Sequence, residues 1–486
     1  MRTAYSVETV RAAERALMAQ LPHGALMQRA AAGLAAACAG LLRRVYGARI
    51  ALLVGSGDNG GDALFAGARL ARRGAGVTAV LLTPERAHPE GLAALLAAGG
   101  RVASAEAADR AVRGAELVID GIVGIGGKGG LRPDAAQLAR AATDGGAVIV
   151  SVDLPSGVDA DTGEVRGTAV RADATVTFGA YKPGLLIDPA REHAGALRLV
   201  DIGLAAELPA RPEAEALQHA DVAALLPRPE AESDKYRRGV VGVVAGSARY
   251  PGAAVLAVAG ALHGGAGAVR YAGPAADAVI ARFPETLVSP GPPSKAGRVQ
   301  AWVVGPGLGD GTDARRALED VLAQDVPVLV DADGLRLMSP DAVRARTAET
   351  VLTPHAGEAA ALLGVSRERV ESGRLAAVRA LAERFGATAL LKGSTTLIAA
   401  APGARGHHTV RVNPTGTPWL ATAGSGDVLS GLTGSLLAAG LSGRDAASAG
   451  AYLHGLAARE RGAAPLTAMG VAEELRGVWR ELTSGR

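Results

Sequence analysis

The sequence predicts an α/β protein of two unlike domains, each a largely parallel sheet wound on both faces by helices. Three observations carry that reading. Short apolar runs alternate with helical stretches, a proline- and charge-rich stretch interrupts the alternation near the middle, and the motifs on its two sides do not repeat one another. The first series of runs is 50–54, 77–82, 117–120, 148–152 and 174–178. After Leu204 the stretch ELPARPEAEALQHAD reads as a linker, centred on residues 205–219, which places one domain at 1–210 and the other at 220–486. The second series is 240–245, 301–304, 326–330, 350–352, 387–391 and 396–400.

Composition narrows the function classes. Hydrophobic residues make up 49% of the 486 residues but aromatics only 3%, so the cores are expected to be Ala, Val and Leu. A net charge of +3 gives no basic footprint for nucleic acid. The single cysteine, Cys38, sits among alanines as a small buried hydrophobe, which leaves no disulfide within the chain. The N-terminus is amphipathic, without the apolar core of a secretion signal, and no run of about 18 apolar residues occurs. A soluble cytoplasmic protein that binds neither membrane nor nucleic acid is expected.

Directly after the first strand comes GSGDNGGDA (55–63), where open α/β sheets bind ligands. Asp58, Asn59 and Asp62, crowded among Gly60 and Gly61, suit ribose hydroxyls or a hard cation held through oxygen, although a capped glycine turn would use the same residues. Two more strands end in acids that open glycine-rich loops. Asp120 leads into DGIVGIGGKGGLR, and Asp153 lies in SVDLPSGVDADTG. Lys182, in GAYKPGLL after the run 174–178, falls near the same sheet edge.

In the second half, ATAGSGDVLSG (421–431) delivers Asp427 to the start of a helix whose buried face repeats as Val428, Leu429, Leu432, Leu436 and Leu437. Gly424 and Gly426 permit close backbone approach, and the first helical amides face any anion placed there. A carboxylate beside an anion cradle suits removal of a hydroxyl proton during phosphoryl transfer, whereas a plain cap is the alternative use of Asp427. Upstream, Lys392, Gly393, Ser394, Thr395 and Thr396 form a compact phosphate-binding set that is not a Walker pattern.

These motifs resemble two known families. The first half is similar to the NAD(P)H-hydrate epimerases, whose GxGNNGGDG, DxxxGTGLxGxLR and VDxPSGxDADTG patterns align with the three N-terminal loops. The second half resembles the ADP- or ATP-dependent NAD(P)H-hydrate dehydratases through KYRRGVVGVVAGSARYPGAA, GPGLG, TPHAGE, KGSTT and AGSGD. Departures are Asp58 for Asn, Ala63 for Gly, Ile125 for Thr and Ala356 for Pro. The resemblance implies a Rossmann-like three-layer domain followed by a ribokinase-like α/β domain. In the first it implies cofactor contacts from residues 58–62, from Gly124, Ile125, Gly126, Gly127, Lys128, Gly129 and Gly130, and from Asp153 as the proton-moving group, with a potassium ion on Asn59, Asp120 and Ser156. In the second it implies substrate contacts from Ala253, Gly307, His355 and Asp427, and magnesium with ADP or ATP on Lys392–Thr396 and Gly426. A homo-oligomer is expected.

The chemistry so implied is repair of a nicotinamide ring hydrated at C6, NADHX or NADPHX. Hydroxide is a poor leaving group, water having a pKa of about 15.7. Phosphate, with a second pKa of about 6, leaves far more readily. A kinase-like domain can therefore dehydrate. A ribokinase-like small-molecule kinase with an N-terminal dinucleotide-binding module is the rival reading, since the same loop serves any hydroxyl acceptor.

Overall fold

Runs rich in Val and Leu become the central strands of two parallel sheets in the computed structural model, which describes residues 1–403, 409–460, 462 and 464–484. Chain contacts separate residues 3–214 from residues 215–486, with Met1 and Arg2 counted in the latter.

The N-terminal unit carries a seven-stranded sheet in the order Arg101–Val102, Gly76–Leu81, Arg49–Val54, Leu117–Gly121, Val148–Val152, Ala174–Phe178, Ala196–Val200, parallel throughout. Along Arg49–Val54 the side chains alternate between two cores. Ile50, Leu52 and Val54 pack with the helices Ala25–Leu41 and Asp58–Arg72, and Ala51 and Leu53 with the opposite face. Strand order reverses between Arg49–Val54 and Leu117–Gly121, a topological switch point beyond whose carboxyl ends lie two of the three acid-bearing loops.

The C-terminal sheet runs Leu287–Val288, Ala268–Tyr271, Val240–Val244, Ala301–Val304, Val328–Val330, Thr350–Leu352, Thr388–Leu391, all parallel, and continues with antiparallel Thr396–Ala399 and Val410–Asn413. Its switch point lies between Val240–Val244 and Ala301–Val304, beneath the first turn of the helix Pro251–His263, which carries Ala253, and the loop that carries Gly307. The helices Pro251–His263, Ser425–Ala438, Gly443–Arg459 and Ala468–Ser484, the first and third rich in alanine, build the main core on one face. Among the described residues no helix is long and apolar enough to cross a membrane.

The stretch read as a linker is corrected at its C-terminal end. Residues 214–216 form a strand, and Glu215, 7% exposed, accepts from Arg411 Nε at 2.9 Å and Arg444 Nη2 at 2.8 Å. Two guanidinium groups so far inside the fold need that carboxylate, which pulls the boundary back to residue 214. Glu215→Ala should therefore destabilise the C-terminal unit by about 3 kcal/mol, the cost of stripping one partner from a largely buried ionic cluster. Denaturant unfolding measures it. A loss under about 1 kcal/mol, the size of a surface pair, would show the segment to be a linker after all.

Candidate functional site

In the N-terminal unit the segment expected as a glycine loop is already helical from Asp58. Asp58 occupies the first turn, where the helix dipole favours an acid. Asp62 is consequently drawn inside, 7% exposed, rather than left on a loop. Asn59 Nδ2 donates to the Val152 carbonyl at 2.6 Å, and a Cβ at Gly124 would lie 2.4 Å from Asn59 Oδ1, so only glycine lets the loop 124–130 settle on Asn59. Asp120 is fully buried. It accepts from Ser151 Oγ at 2.7 Å, Ser156 Oγ at 2.6 Å and Ser156 N at 2.9 Å, while Ser156 Oγ accepts from Val123 N at 2.9 Å. Burial raises the Asp120 pKa, and the hydrogen bonds from Ser156 and Ser151 oppose the rise. The fold thus joins Asn59, Asp120 and Ser156 through the turn 121–124.

Ile125, Gly126, Gly127 and Lys128 line a cavity of about 360 Å³ with Arg11 and Arg15. Gly129 and Gly130 lie on the same loop but not on that cavity, Gly130 packing against Gly167. A second cavity of about 360 Å³ is lined by Glu14, Asp58, Asp62, Phe65, His88 and Phe178, among others. Asp153 is close behind it, at φ 65°, a conformation that strains a residue with a side chain. Its Oδ1 accepts from Lys182 Nζ at 2.5 Å, Thr177 Oγ1 at 2.9 Å and Phe178 N at 3.3 Å. Lys182 is 1% exposed, so the pair is an interior one. Burial, then the charges of Asp153, Asp58 and Glu14, raise the Asp62 carboxyl well above its ordinary value. Burial also raises Glu14, with Lys182 opposing. A paired carboxylate beside two carboxyls that tend to keep their protons puts acceptor and donor in one hollow.

In the C-terminal unit Gly424 caps the helix Ser425–Ala438 at φ 86°, so Gly426 and Asp427 stand in its first turn. Lys392, just beyond Thr388–Leu391, reaches Asp331 Oδ1 at 2.7 Å, and Ser430 Oγ donates to Asp331 Oδ2 at 2.7 Å. A Cβ at Gly426 would lie 3.4 Å from the Lys392 ammonium and 3.9 Å from Asp331 Oδ2, which brings both ends of the sequence-predicted phosphate site together. The Asp427 carboxyl is pushed up to about 7 by burial first and Asp331 second, with Lys392 pulling the other way. Burial alone would lower the Lys392 ammonium, but Asp331, Glu358 and Asp427 outweigh it and raise its pKa.

Ala253 and Gly307 meet at the switch point. Gly307 has φ 63°, and a Cβ there would come within 2.6 Å of the Ala253 methyl. His355 caps the helix Ala356–Leu363, its Nδ1 accepting from Gly357 N at 3.0 Å and Glu358 N at 3.1 Å, while the side chain stays 60% exposed. Within the KGSTT turn the residues differ in exposure. Gly393 and Ser394 are exposed, but Thr395 and Thr396 enter the hairpin and are buried, at 3% and 8% exposure. Arg374 lies beneath them and donates to the Thr395 carbonyl at 2.8 Å.

Sequence reasoning missed Asp331, Glu14 and the contact of Lys182 with Asp153. The signal for Asp331 was present: an acid at the tip of an apolar strand, in VLVDADG, as at Asp120 and Asp153. Its neighbour Asp333 accepts from Gly309 N at 2.8 Å and so ties the GPGLG loop to the same corner.

The chain is similar along its length to known proteins. A family profile described as NAD(P)H-hydrate dehydratase matches residues 241–475, and one described as YjeF-related protein N-terminus matches residues 23–184. The bifunctional NAD(P)H-hydrate repair enzyme Nnr of Mycobacterium tuberculosis is 50% identical over 92% of this chain and 92% of its own. That of Mycobacterium leprae is 50% identical over 96% and 95%. Among solved structures, the ADP/ATP-dependent NAD(P)H-hydrate dehydratase of Bacillus subtilis, co-crystallised with ATP/Mg2+, is 30% identical with a TM-score of 0.50, covering 55% of this chain and 97% of that one. Two profiles in this order, and relatives matching along nearly the whole length, leave one assignment: the chain belongs to the family of bifunctional NAD(P)H-hydrate repair enzymes.

Proposed function

We propose that residues 215–486 dehydrate the S form of NADHX or NADPHX by phosphorylating its ring hydroxyl, and that residues 3–214 interconvert the R and S forms. The observation that carries the first half is Asp427. A carboxyl pushed up to about 7, beside an ammonium and a helix N-terminus, is a base matched to neutral pH. In this reading Asp427 takes the proton of the C6 hydroxyl as its oxygen attacks the terminal phosphoryl group of ADP or ATP. The amides around Gly426 and the Lys392 ammonium hold that group, and the exposed Gly393–Ser394 turn holds the nucleotide. The C6–O bond then breaks with the push of the ring nitrogen's electron pair, inorganic phosphate leaves, and loss of a proton from C5 of the resulting iminium to the departing phosphate or water restores the C5=C6 double bond of NADH or NADPH. Ala253 and Gly307 admit the dinucleotide, and His355 contacts it.

Magnesium fits as a companion of the nucleotide. Asp331, Asp333 and Asp427 supply carboxylate oxygens near Lys392, and among the described residues no set of three or more His, Cys, Asp or Glu forms a cage of its own. When bound, it neutralises phosphate charge. At Asn59, Asp120 and Ser156 the donors are an amide, a hydroxyl and one carboxylate, a set suited to a singly charged cation such as potassium, which would steady the loop 124–130. In the N-terminal site Asp153, fixed by Lys182, and the carboxyls of Asp62 and Glu14 move a proton at the hydrated ring. A cytoplasmic homo-oligomer is the setting we propose.

Asp427→Asn should lower dehydration by roughly 10² to 10⁴ fold while epimerisation persists. In the parent protein, kcat/KM for dehydration should rise with pH and level off above about 7, because the base must lose its proton; the variant should lack that limb. The same proton affects stability. The native carboxyl holds it up to about 7 and the unfolded one only to 3.8, so the group's contribution falls as pH rises across that window and the variant's Tm should gain on the parent's. Near-normal turnover in Asp427→Asn, or a pH profile shared with the parent, would reduce Asp427 to a helix cap.

Asp153→Asn should cut exchange between R and S forms by roughly 10² fold or more, leaving dehydration of the S form intact. Nuclear magnetic resonance of the two epimers follows the exchange without nucleotide. Unchanged exchange would exclude Asp153 as the proton-moving group.

A further inference from the structure

At the amino ends of the C-terminal strands, away from the switch point, lies a cavity of about 310 Å³ that the repair chemistry does not use. Arg228, Arg237, Arg238, Arg476, His263 and Trp479 line it, together with small and neutral residues, and no carboxylate does. Arg237 and Arg238 belong to the KYRR segment just before the strand Val240–Val244, whereas the helix start with Ala253 and the loop with Gly307 follow the carboxyl ends of the same strand and its neighbour. A five-residue strand separates the two ends by roughly 16 Å at about 3.3 Å per residue. The helix Pro251–His263 gives the same measure, with Ala253 near one end and His263 at the other.

Only part of the charge here is compensated: the Asp234 carboxylate acts on Arg237, although its Oδ1 is already taken by the amides of Tyr236 and Arg237. Arg237 donates to the Glu232 carbonyl at 3.4 Å and Arg238 to the Gly265 carbonyl at 3.3 Å, neither of which carries a formal charge. Among the described residues Arg228 and Arg476 have no ion-pair partner, and Arg476 helps to lower the pKa of His263, after burial. Nearby Glu473 is engaged with Arg282 at 3.2 Å. Trp479 sits against Gly265, and its indole N–H is buried without an acceptor among the described residues. Guanidinium forks match phosphate oxygens, and an indole offers a planar ring a stacking surface. The volume is at the small end of ligand pockets, which suits a mononucleotide better than a dinucleotide.

We propose that this cavity is a second nucleotide site, taking a purine di- or triphosphate with its phosphates on Arg228, Arg237, Arg238 and Arg476 and its base against Trp479. The proposal is independent of the roles assigned to Asp427 and Lys392. Titration calorimetry of the full chain with ADP should show two sites per chain. Arg228→Ala/Arg476→Ala should weaken one of them by more than about tenfold and leave the other, while Lys392→Ala should do the reverse. ADP should quench tryptophan fluorescence in the parent and in Lys392→Ala, and the quench should vanish in Trp479→Phe. The arginine variant, altered at the rim of a cavity, should keep the parent's Tm. A single ADP site, two sites indifferent to the arginine change, inorganic pyrophosphate binding as tightly as ADP, or capture by anionic phospholipid vesicles through these arginines without ADP binding would each overturn the proposal.

Discussion

The electrostatics of the proposed dehydratase site turn on one interior ion pair, Lys392 with Asp331. A buried pair of this kind brings little net stability, because desolvating two charges consumes most of their attraction. Its consequence is electrostatic. Asp331, 1% exposed and held at both oxygens by Lys392 and Ser430, is a fixed negative charge against Asp427. Burial and that charge push Asp427 up, and Lys392 restrains the rise, so the carboxyl comes to about 7 instead of staying permanently charged or permanently neutral. Gly426 adjoins the same balance, a Cβ there coming into ordinary contact with the Lys392 ammonium at 3.4 Å.

Both units use one architectural device. Each sheet has a point at which its strand order reverses, and the segments leaving the two strands there lie side by side at their carboxyl ends. Acids then sit at strand tips. Among the described residues two non-glycine positions adopt positive φ, Asp153 and Ala332, the latter directly following Asp331. Such conformations cost about 1–3 kcal/mol each and persist where surrounding contacts over-determine them. Here each fixes or adjoins an acid that is already paired with an interior lysine.

Much of this was legible from sequence because central parallel strands, buried on both faces, read as unbroken apolar runs. The run 148–152 became the strand Val148–Val152 without adjustment. Strands at or next to a sheet edge escaped. Ala196–Val200 is mostly exposed, so ALRLV carries no two-faced apolar signal, and Ala214–Ala216 is hidden among prolines and charges whose burial depends on Arg411 and Arg444, far away in sequence. The helix bearing Asp427 was legible from its apolar spacing, but the raised pKa was not. It depends on Asp331, which meets Lys392 across 61 positions and leaves no local pattern. Lys182 and Asp153, 29 apart, were seen at one sheet edge, but their contact required the left-handed turn at Asp153.

The central claim is that a phosphoryl group is placed on the ring hydroxyl and leaves with its oxygen. Supplying S-NADHX whose C6 hydroxyl carries ¹⁸O, with unlabelled ADP or ATP in ordinary water, tests it directly by mass spectrometry of the products. The account predicts one inorganic phosphate for each NADH restored, carrying the ring's ¹⁸O. Label recovered in water, with unlabelled phosphate or none, would contradict it.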